Sequence, residues 1–155
     1  MADPAVAPAR APDPRRALGG PGVVLVVLYA VLALAATGRS VLQITSYFEQ
    51  APLAYTLSAV AALVYLLATW CLAKGGRWVR VGVVACSIEL VGVLVVGVAS
   101  YLVPEAFPDQ TVWSHFGQGY AFVPLVLPVL GLLWFRRVDR LATEEQPPAS
   151  TSALG

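Results

Sequence analysis

An apolar run that contains one carboxylate places the strongest constraint on how this chain can fold. Between Val81 and Tyr101 the single charged residue is Glu89. A helix of about 20 apolar residues crosses the ~30 Å hydrocarbon core of a bilayer. An ionisable side chain is costly there and almost always faces other helices or a water-filled cavity. We therefore expect this run to be a membrane-spanning helix with Glu89 turned toward protein.

Three further apolar stretches are long enough to cross a bilayer, and the composition agrees with this interpretation. Hydrophobic residues make up 58% of the chain and charged residues 12%, against about 45–50% and about 25% in globular domains. The four helices are predicted at about residues 22–43, 52–72, 81–103 and 118–136. The predicted fold class is an all-α membrane protein, an antiparallel four-transmembrane-helix bundle formed by residues 21–137.

The distribution of basic residues predicts the orientation of this bundle. Nine of the ten lysines and arginines lie in the N-terminal segment, the link between helices two and three, or the C-terminal segment, and the tenth is Arg39. Because cytoplasmic loops carry the excess of basic residues, both termini are predicted to be cytoplasmic. Arginine outnumbers lysine nine to one, which is typical of a high-GC bacterial genome. The predicted location is therefore a bacterial plasma membrane.

The two ends of the chain differ from the apolar core. Residues 1–20 and 138–155 are rich in proline, alanine and polar residues, and they are predicted to be disordered cytoplasmic tails. An alternative for the first helix is a cleaved signal peptide, because Arg15 and Arg16 precede an apolar run that ends Ala33-Leu34-Ala35.

Helical periodicity places Glu89 on a face of mostly small residues, opposite a face of valine, leucine and isoleucine. Tyr29 and Tyr65 lie on the predicted interior faces of helices one and two, at about the same depth by the ~1.5 Å rise per residue. We expect Glu89 to be hydrogen-bonded by Tyr29, by Tyr65, or by a backbone carbonyl freed by Pro128. Three roles stay open for Glu89: a neutral packing residue that fixes helix register, a proton or cation site, or a contact with a partner subunit.

Two connections on the outer side carry the remaining candidate residues. Asp109 is predicted to cap a short helix within residues 104–119 that lies on the membrane surface or on the top of the bundle. Arg39 can pair with Glu49, Glu105 or Asp109, or it can bind an anionic headgroup or substrate. His115 is expected to be an interfacial residue beside Trp113, which with Phe116 is predicted to mark the outer interface.

Several classes of function are excluded by the absence of their motifs. The chain has no GxSxG, HExxH, glycine-rich phosphate loop or CxxC motif, so no catalytic residues are assigned. His115 and Met1 are the only histidine and methionine and neither is expected at membrane depth, which excludes haem. No metal site or other cofactor is predicted. A net charge near +1 without a basic face argues against nucleic acid.

Three sequence segments carry a family resemblance: TVWSHFGQGYAFVPLVLPVLGLLWF from Thr111 to Phe135, ATGRS from Ala36 to Ser40, and APLAYTLSA from Ala51 to Ala59. Together they resemble a family of small four-helix integral membrane proteins of actinobacteria, which has no assigned function. The resemblance covers about residues 22–137 and implies the same fold and location. It brings no catalytic residues.

The sequence leads to a ranked set of functional hypotheses. The first is a non-enzymatic accessory or structural subunit of a plasma-membrane assembly, whose partners are the lipid bilayer and either another protein or a second copy of the chain. The alternative is a small proton- or cation-coupled transporter or channel that acts as a homodimer, with Glu89 as its coupling site. A third hypothesis is a lipid-active enzyme that uses Arg39, Asp109 and His115.

Overall fold

Four long helices make up most of the protein. The computed structural model describes residues 20–144, with side chains up to Leu141. The helices are α1 (Pro21–Ser46), α2 (Pro52–Lys74), α3 (Val79–Leu102) and α4 (Val123–Glu144). Short 3₁₀ turns cover Phe48–Gln50, Gly76–Trp78, Pro104–Ala106 and Ser114–Tyr120. Residues 20–144 contain no β-strand, which confirms the all-helical class for this part of the chain.

Proline and glycine set several of the helix limits. Pro21 and Pro52 occupy the first positions of α1 and α2, where a missing N–H leaves no hydrogen bond unmade. Gly75, which follows α2, has a positive φ of 59°, a conformation that glycine adopts without steric cost. Pro104 comes two residues after the end of α3 and disfavours helical geometry at the residue before it.

Three of these segments are long and apolar enough to cross a membrane. They are Pro21–Ser46, Pro52–Lys74 and Gly76–Leu102. A fourth span is present if Ser114–Tyr120 and Val123–Leu141, which are bent by 97° relative to each other, are counted together. The prediction of a multi-pass apolar helical protein therefore agrees with the structure.

The fourth helix differs from its predicted limits of 118–136. It begins at Val123 because Ala121 and Phe122 are left-handed, with φ of 53° and 60°. It also continues past Arg136 and Arg137 to Glu144. Charged residues can end contact with the hydrocarbon without ending a helix, because arginine has a high helix propensity. The first seven residues of the predicted C-terminal tail are thus helical, whereas residues 1–19 and 145–155 lie outside the described part.

The predicted interior face of α3 is buried in the structure. It comprises Glu89 and seven other buried residues: Gly82, Ala85, Cys86, Val93, Val96, Gly97 and Ser100. The opposite face is exposed and apolar, and it consists of Val84, Ile88, Val91, Leu94, Val95 and Val98. Helical periodicity was sufficient to identify both faces, because each is defined relative to the axis of its own helix.

Aromatic rings fill the space beside the small residues of α3. A Cβ atom added at Gly92 would lie 2.8 Å from the Trp113 ring, and one at Gly97 would lie 2.5 Å from the Phe116 ring. Gly82 faces the ring of Phe135 in the same way. Small residues usually allow two helix backbones to approach closely in a bilayer. In this protein they accept rings from α4 and from the segment before it.

The helices do not pack equally on one another. α1 packs mainly on α2, and α3 packs mainly on α4 and on the Ser114–Tyr120 turn. α1 contacts α4 over a much smaller region. The seam between α1 and α4 is therefore the loosest of the main helix contacts.

Candidate functional site

The buried carboxyl group of Glu89, on α3, is hydrogen-bonded to a tyrosine of α1. Its side chain is fully buried, and Oε2 accepts a hydrogen bond of 2.8 Å from the Tyr29 hydroxyl. Its other oxygen, Oε1, has no hydrogen-bond partner among the described residues. Of the partners expected from the sequence, Tyr29 is the one that contacts Glu89 directly.

Cys86 and Gly131 complete the surroundings of the Tyr29 hydroxyl. Cys86 precedes Glu89 by about one turn of α3, and its Sγ lies 3.3 Å from Tyr29 Oη. A Cβ added at Gly131 of α4 would lie 2.8 Å from Cys86 Sγ and 3.3 Å from Tyr29 Oη. Three helices thus converge on one hydroxyl, and α4 can approach only because residue 131 has no side chain. Sequence reasoning did not include Cys86 or Gly131 in the site, since neither is charged or aromatic.

Tyr65 is close to this centre but has a different partner. Its ring centroid lies 6.3 Å from that of Tyr29, and its side chain is fully buried. Its hydroxyl accepts a hydrogen bond of 3.0 Å from Trp113 Nε1. The buried polar cluster therefore consists of two hydrogen-bonded pairs, Tyr29–Glu89 and Trp113–Tyr65, whose tyrosine rings lie next to each other.

Trp113 lies inside the protein, and its predicted position at the outer interface is wrong. The side chain is 3% exposed, packs beside Gly92 and reaches Tyr65. The 104–119 segment was expected on the membrane surface or on the top of the bundle, but its second part turns into the protein, where residues 111–114 are buried. Its inward course could not be read from the sequence, because a tryptophan near the end of a span is equally typical of an interfacial anchor.

A compact turn directs Trp113 inward. Thr111 Oγ1 accepts hydrogen bonds from the backbone N–H groups of Trp113, at 3.1 Å, and Ser114, at 2.9 Å. Ser114 Oγ accepts one of 2.9 Å from the Thr111 N–H. These reciprocal bonds stabilise the turn that leads into Ser114–Tyr120. Within residues 20–141 no side-chain hydrogen bond caps the Ser114–Tyr120 segment, so the predicted capping role of Asp109 is wrong.

Asp109 joins the C-terminal end of α1 and the N-terminal end of α2 to the 104–119 segment. Its Oδ2 accepts hydrogen bonds from Tyr55 Oη at 3.0 Å and from Gln43 Nε2 at 3.3 Å. Arg39 Nη2 lies 3.9 Å from Asp109 Oδ1 and donates a 2.6 Å hydrogen bond to the carbonyl of Gln110. Asp109 is thus the acidic partner of Arg39 in the structure.

The other two outer-face candidates lie apart from this pair. Glu49 is exposed in the Phe48–Gln50 turn. His115 is half-buried, its ring packs edge-on against Tyr101 at 4.6 Å, and its backbone N–H donates to Ser100 Oγ. The four candidates Arg39, Glu49, Asp109 and His115 therefore do not form one site. Within residues 20–144 there is also no group of three or more histidine, cysteine or acidic side chains placed to hold a metal ion.

Comparisons with known protein families, curated proteins and solved structures gave no match to this chain. The resemblance to small four-helix membrane proteins of actinobacteria stays a prediction.

Proposed function

We propose that this chain is an integral protein of a bacterial plasma membrane and acts as a non-enzymatic accessory or structural subunit of a membrane assembly. In this proposal the four spans form an antiparallel bundle with both termini in the cytoplasm. The length and apolarity of the helices support the membrane location. The clustering of nine of the ten basic residues in the two ends and the α2–α3 link supports the orientation.

The burial of the polar centre is the observation that carries a structural role. Glu89, Tyr29 and Tyr65 are each 0% exposed, and two of these side chains bond directly to each other. In the conformation described, none of these three groups has surface that a solute could contact. Hydrogen bonds between polar side chains of different helices instead fix which faces of the helices meet.

The exposed apolar faces of the helices are the surfaces through which such a subunit would bind its partners. Leu34 of α1, Leu63 of α2 and Val95 of α3 are 78%, 67% and 61% exposed. In a bilayer these faces contact lipid, another protein or a second copy of the chain.

Purification of the full chain tests the accessory role. The tagged protein, extracted from its native membrane in mild detergent, is expected to retain a different protein in a fixed ratio. Glu89→Gln should leave that complex intact, because the amide oxygen can still accept the Tyr29 hydrogen bond. Recovery of the wild-type chain only as a monomer or homodimer would contradict the proposal. Separate fusions of green fluorescent protein to each terminus should fluoresce, as expected for cytoplasmic ends.

The unpartnered oxygen of Glu89 favours a second candidate, a small proton- or cation-coupled transporter or channel that acts as a homodimer. Oε1 is buried and makes no hydrogen bond with the described residues. Intramembrane carboxyl groups often mark proton or ion pathways. In this candidate Glu89 would be the coupling site, and the homodimer would supply the solute path that four helices rarely enclose.

Vesicles that contain the purified protein distinguish the two candidates. A transporter would dissipate an imposed proton or cation gradient, and Glu89→Gln would abolish this flux. Glu49→Gln is the matched control, because it removes a carboxylate from an exposed turn. A flux that both variants retain, or no flux from the wild-type protein, would exclude Glu89 as a coupling site.

A further inference from the structure

A groove lies between α1 and α4, where these two helices are in limited contact. Its volume is about 460 Å³, within the ~300–1,000 Å³ that is usual for sites that bind small molecules. Val24 and Leu28 line it from α1, and Leu130 and Leu133 line it from α4. The groove is therefore apolar along most of its length.

Trp134 explains why the two helices touch yet leave this space between them. The indole ring lines the groove and packs against Gly22, where an added Cβ would lie 2.6 Å from the ring. The contact holds α1 and α4 together at one level. Val24 and Leu133 remain 57% and 54% exposed, so the protein itself does not fill the adjacent space.

One end of the groove carries a positive charge. Arg137, one helical turn after Leu133, is the charged residue in its lining. Pro21, the first residue of α1, lines the groove as well, and no side chain within residues 20–141 caps this helix end. The partial positive charge of the helix terminus adds to that of Arg137.

We propose that this groove is a binding site for one anionic phospholipid, with its phosphate at Arg137 and an acyl chain along Val24, Leu28, Leu130 and Leu133. Basic pockets between membrane helices near the cytoplasmic side bind such headgroups. The apolar lining suits a hydrocarbon chain, and Arg137 at its end suits the phosphate of an anionic headgroup. The proposal rests on the membrane location and on the cytoplasmic chain ends proposed above, and it holds for an accessory subunit and for a transporter alike.

Native mass spectrometry of the full chain in detergent, titrated with defined lipids, tests this site. The wild-type protein is expected to bind one phosphatidylglycerol more tightly than one phosphatidylcholine of the same chain length. Arg137→Gln should weaken phosphatidylglycerol binding about fivefold, which corresponds to ~1 kcal/mol for one basic residue near a membrane surface. Val24→Trp, which fills the groove, should weaken the binding of both lipids.

Arg136→Gln is the matched control, because it removes a neighbouring exposed charge that does not line the groove. It should leave the binding of the first phosphatidylglycerol within a factor of two of the wild type. Equal losses in Arg136→Gln and Arg137→Gln would mean that the basic end of α4 attracts anionic lipid diffusely, and they would overturn the proposal. Equal affinity of the wild type for the two lipids would overturn it as well. Unfolding temperatures of both arginine variants, measured in parallel, verify that each is folded.

Discussion

Gly131→Ala is the substitution that tests the geometry of the buried centre most directly. The added Cβ would lie 2.8 Å from Cys86 Sγ and 3.3 Å from Tyr29 Oη. Adding atoms to a close-packed interior costs about 1–3 kcal/mol. Alanine is also the better helix former by about 0.5–1 kcal/mol, which offsets part of this cost. The net change in the free energy of unfolding is therefore expected to lie between about 0 and 2.5 kcal/mol, in the destabilising direction.

Gly38→Ala separates the two contributions. Gly38 also lies within a helix, α1, and nothing lies within 4 Å of an added Cβ. This variant should be stabilised by the helix-propensity gain of about 0.5–1 kcal/mol alone. The difference between the two glycine variants then isolates the cost of crowding at residue 131, about 1–3 kcal/mol.

Removal of Cys86 Sγ should remove most of the destabilisation caused by Gly131→Ala. In a Cys86→Ala background, where Sγ is absent, Gly131→Ala is expected to approach the effect of Gly38→Ala, so the two sites should couple by about 1–2 kcal/mol. Reversible unfolding in mixed micelles, followed by circular dichroism, measures all the variants of this double-mutant cycle. A Gly131→Ala variant as stable as Gly38→Ala, or an unchanged penalty without Sγ, would refute the proposed contact of α4 with Cys86.

Four further substitutions test three other contacts, each by the same unfolding assay. Tyr29→Phe leaves the buried carboxyl of Glu89 without its hydrogen-bond donor and should lower the free energy of unfolding by about 1–3 kcal/mol. Glu89→Gln keeps an acceptor for Tyr29 and should lower it clearly less. Equal losses of stability in the two variants would argue against the Tyr29–Glu89 hydrogen bond. Trp113→Phe should cost about 1–3 kcal/mol through lost packing and the unpaired Tyr65 hydroxyl, and a neutral result would contradict the inward position of this ring. Asp109→Asn weakens a partly exposed ion pair, so the loss of unfolding free energy should stay below about 1 kcal/mol and decrease further in high salt. A larger loss of stability that persists in high salt would show that the ion pair is not the main contribution of Asp109.

The parts of the site that depend on one helix alone could be predicted from the sequence. Glu89 and Tyr29 each lie on the small or polar side of a single helix, and the rise per residue places them at one depth. Their direct hydrogen bond is one of the contacts expected from these two facts. The choice of Tyr29 over Tyr65 could not be derived, because periodicity does not determine how two helices are rotated relative to each other.

The parts that depend on non-helical backbone could not be predicted. His115 and Phe116 have φ of 52° and 60°, and residues other than glycine rarely adopt such values. No residue pattern in this segment indicates left-handed geometry at two consecutive side chains. The segment with these left-handed residues is the one that places the Trp113 ring beside Gly92 and the Phe116 ring beside Gly97. Gly92 and Gly97 indicated that α3 has room for a neighbour on this face, but they did not indicate which residues would occupy it.

The inward position of Trp113 has a consequence for how the protein assembles in the bilayer. The ring rests on Gly92 of α3 and bonds to Tyr65 of α2, and these two residues come together only when α2 and α3 lie side by side. The segment that contains Trp113 comes after both helices in the chain. Its native position therefore exists only once α2 and α3 have packed side by side. The packing of α4 on α3, which follows this segment in the chain, is in this way linked to the correct pairing of α2 with α3.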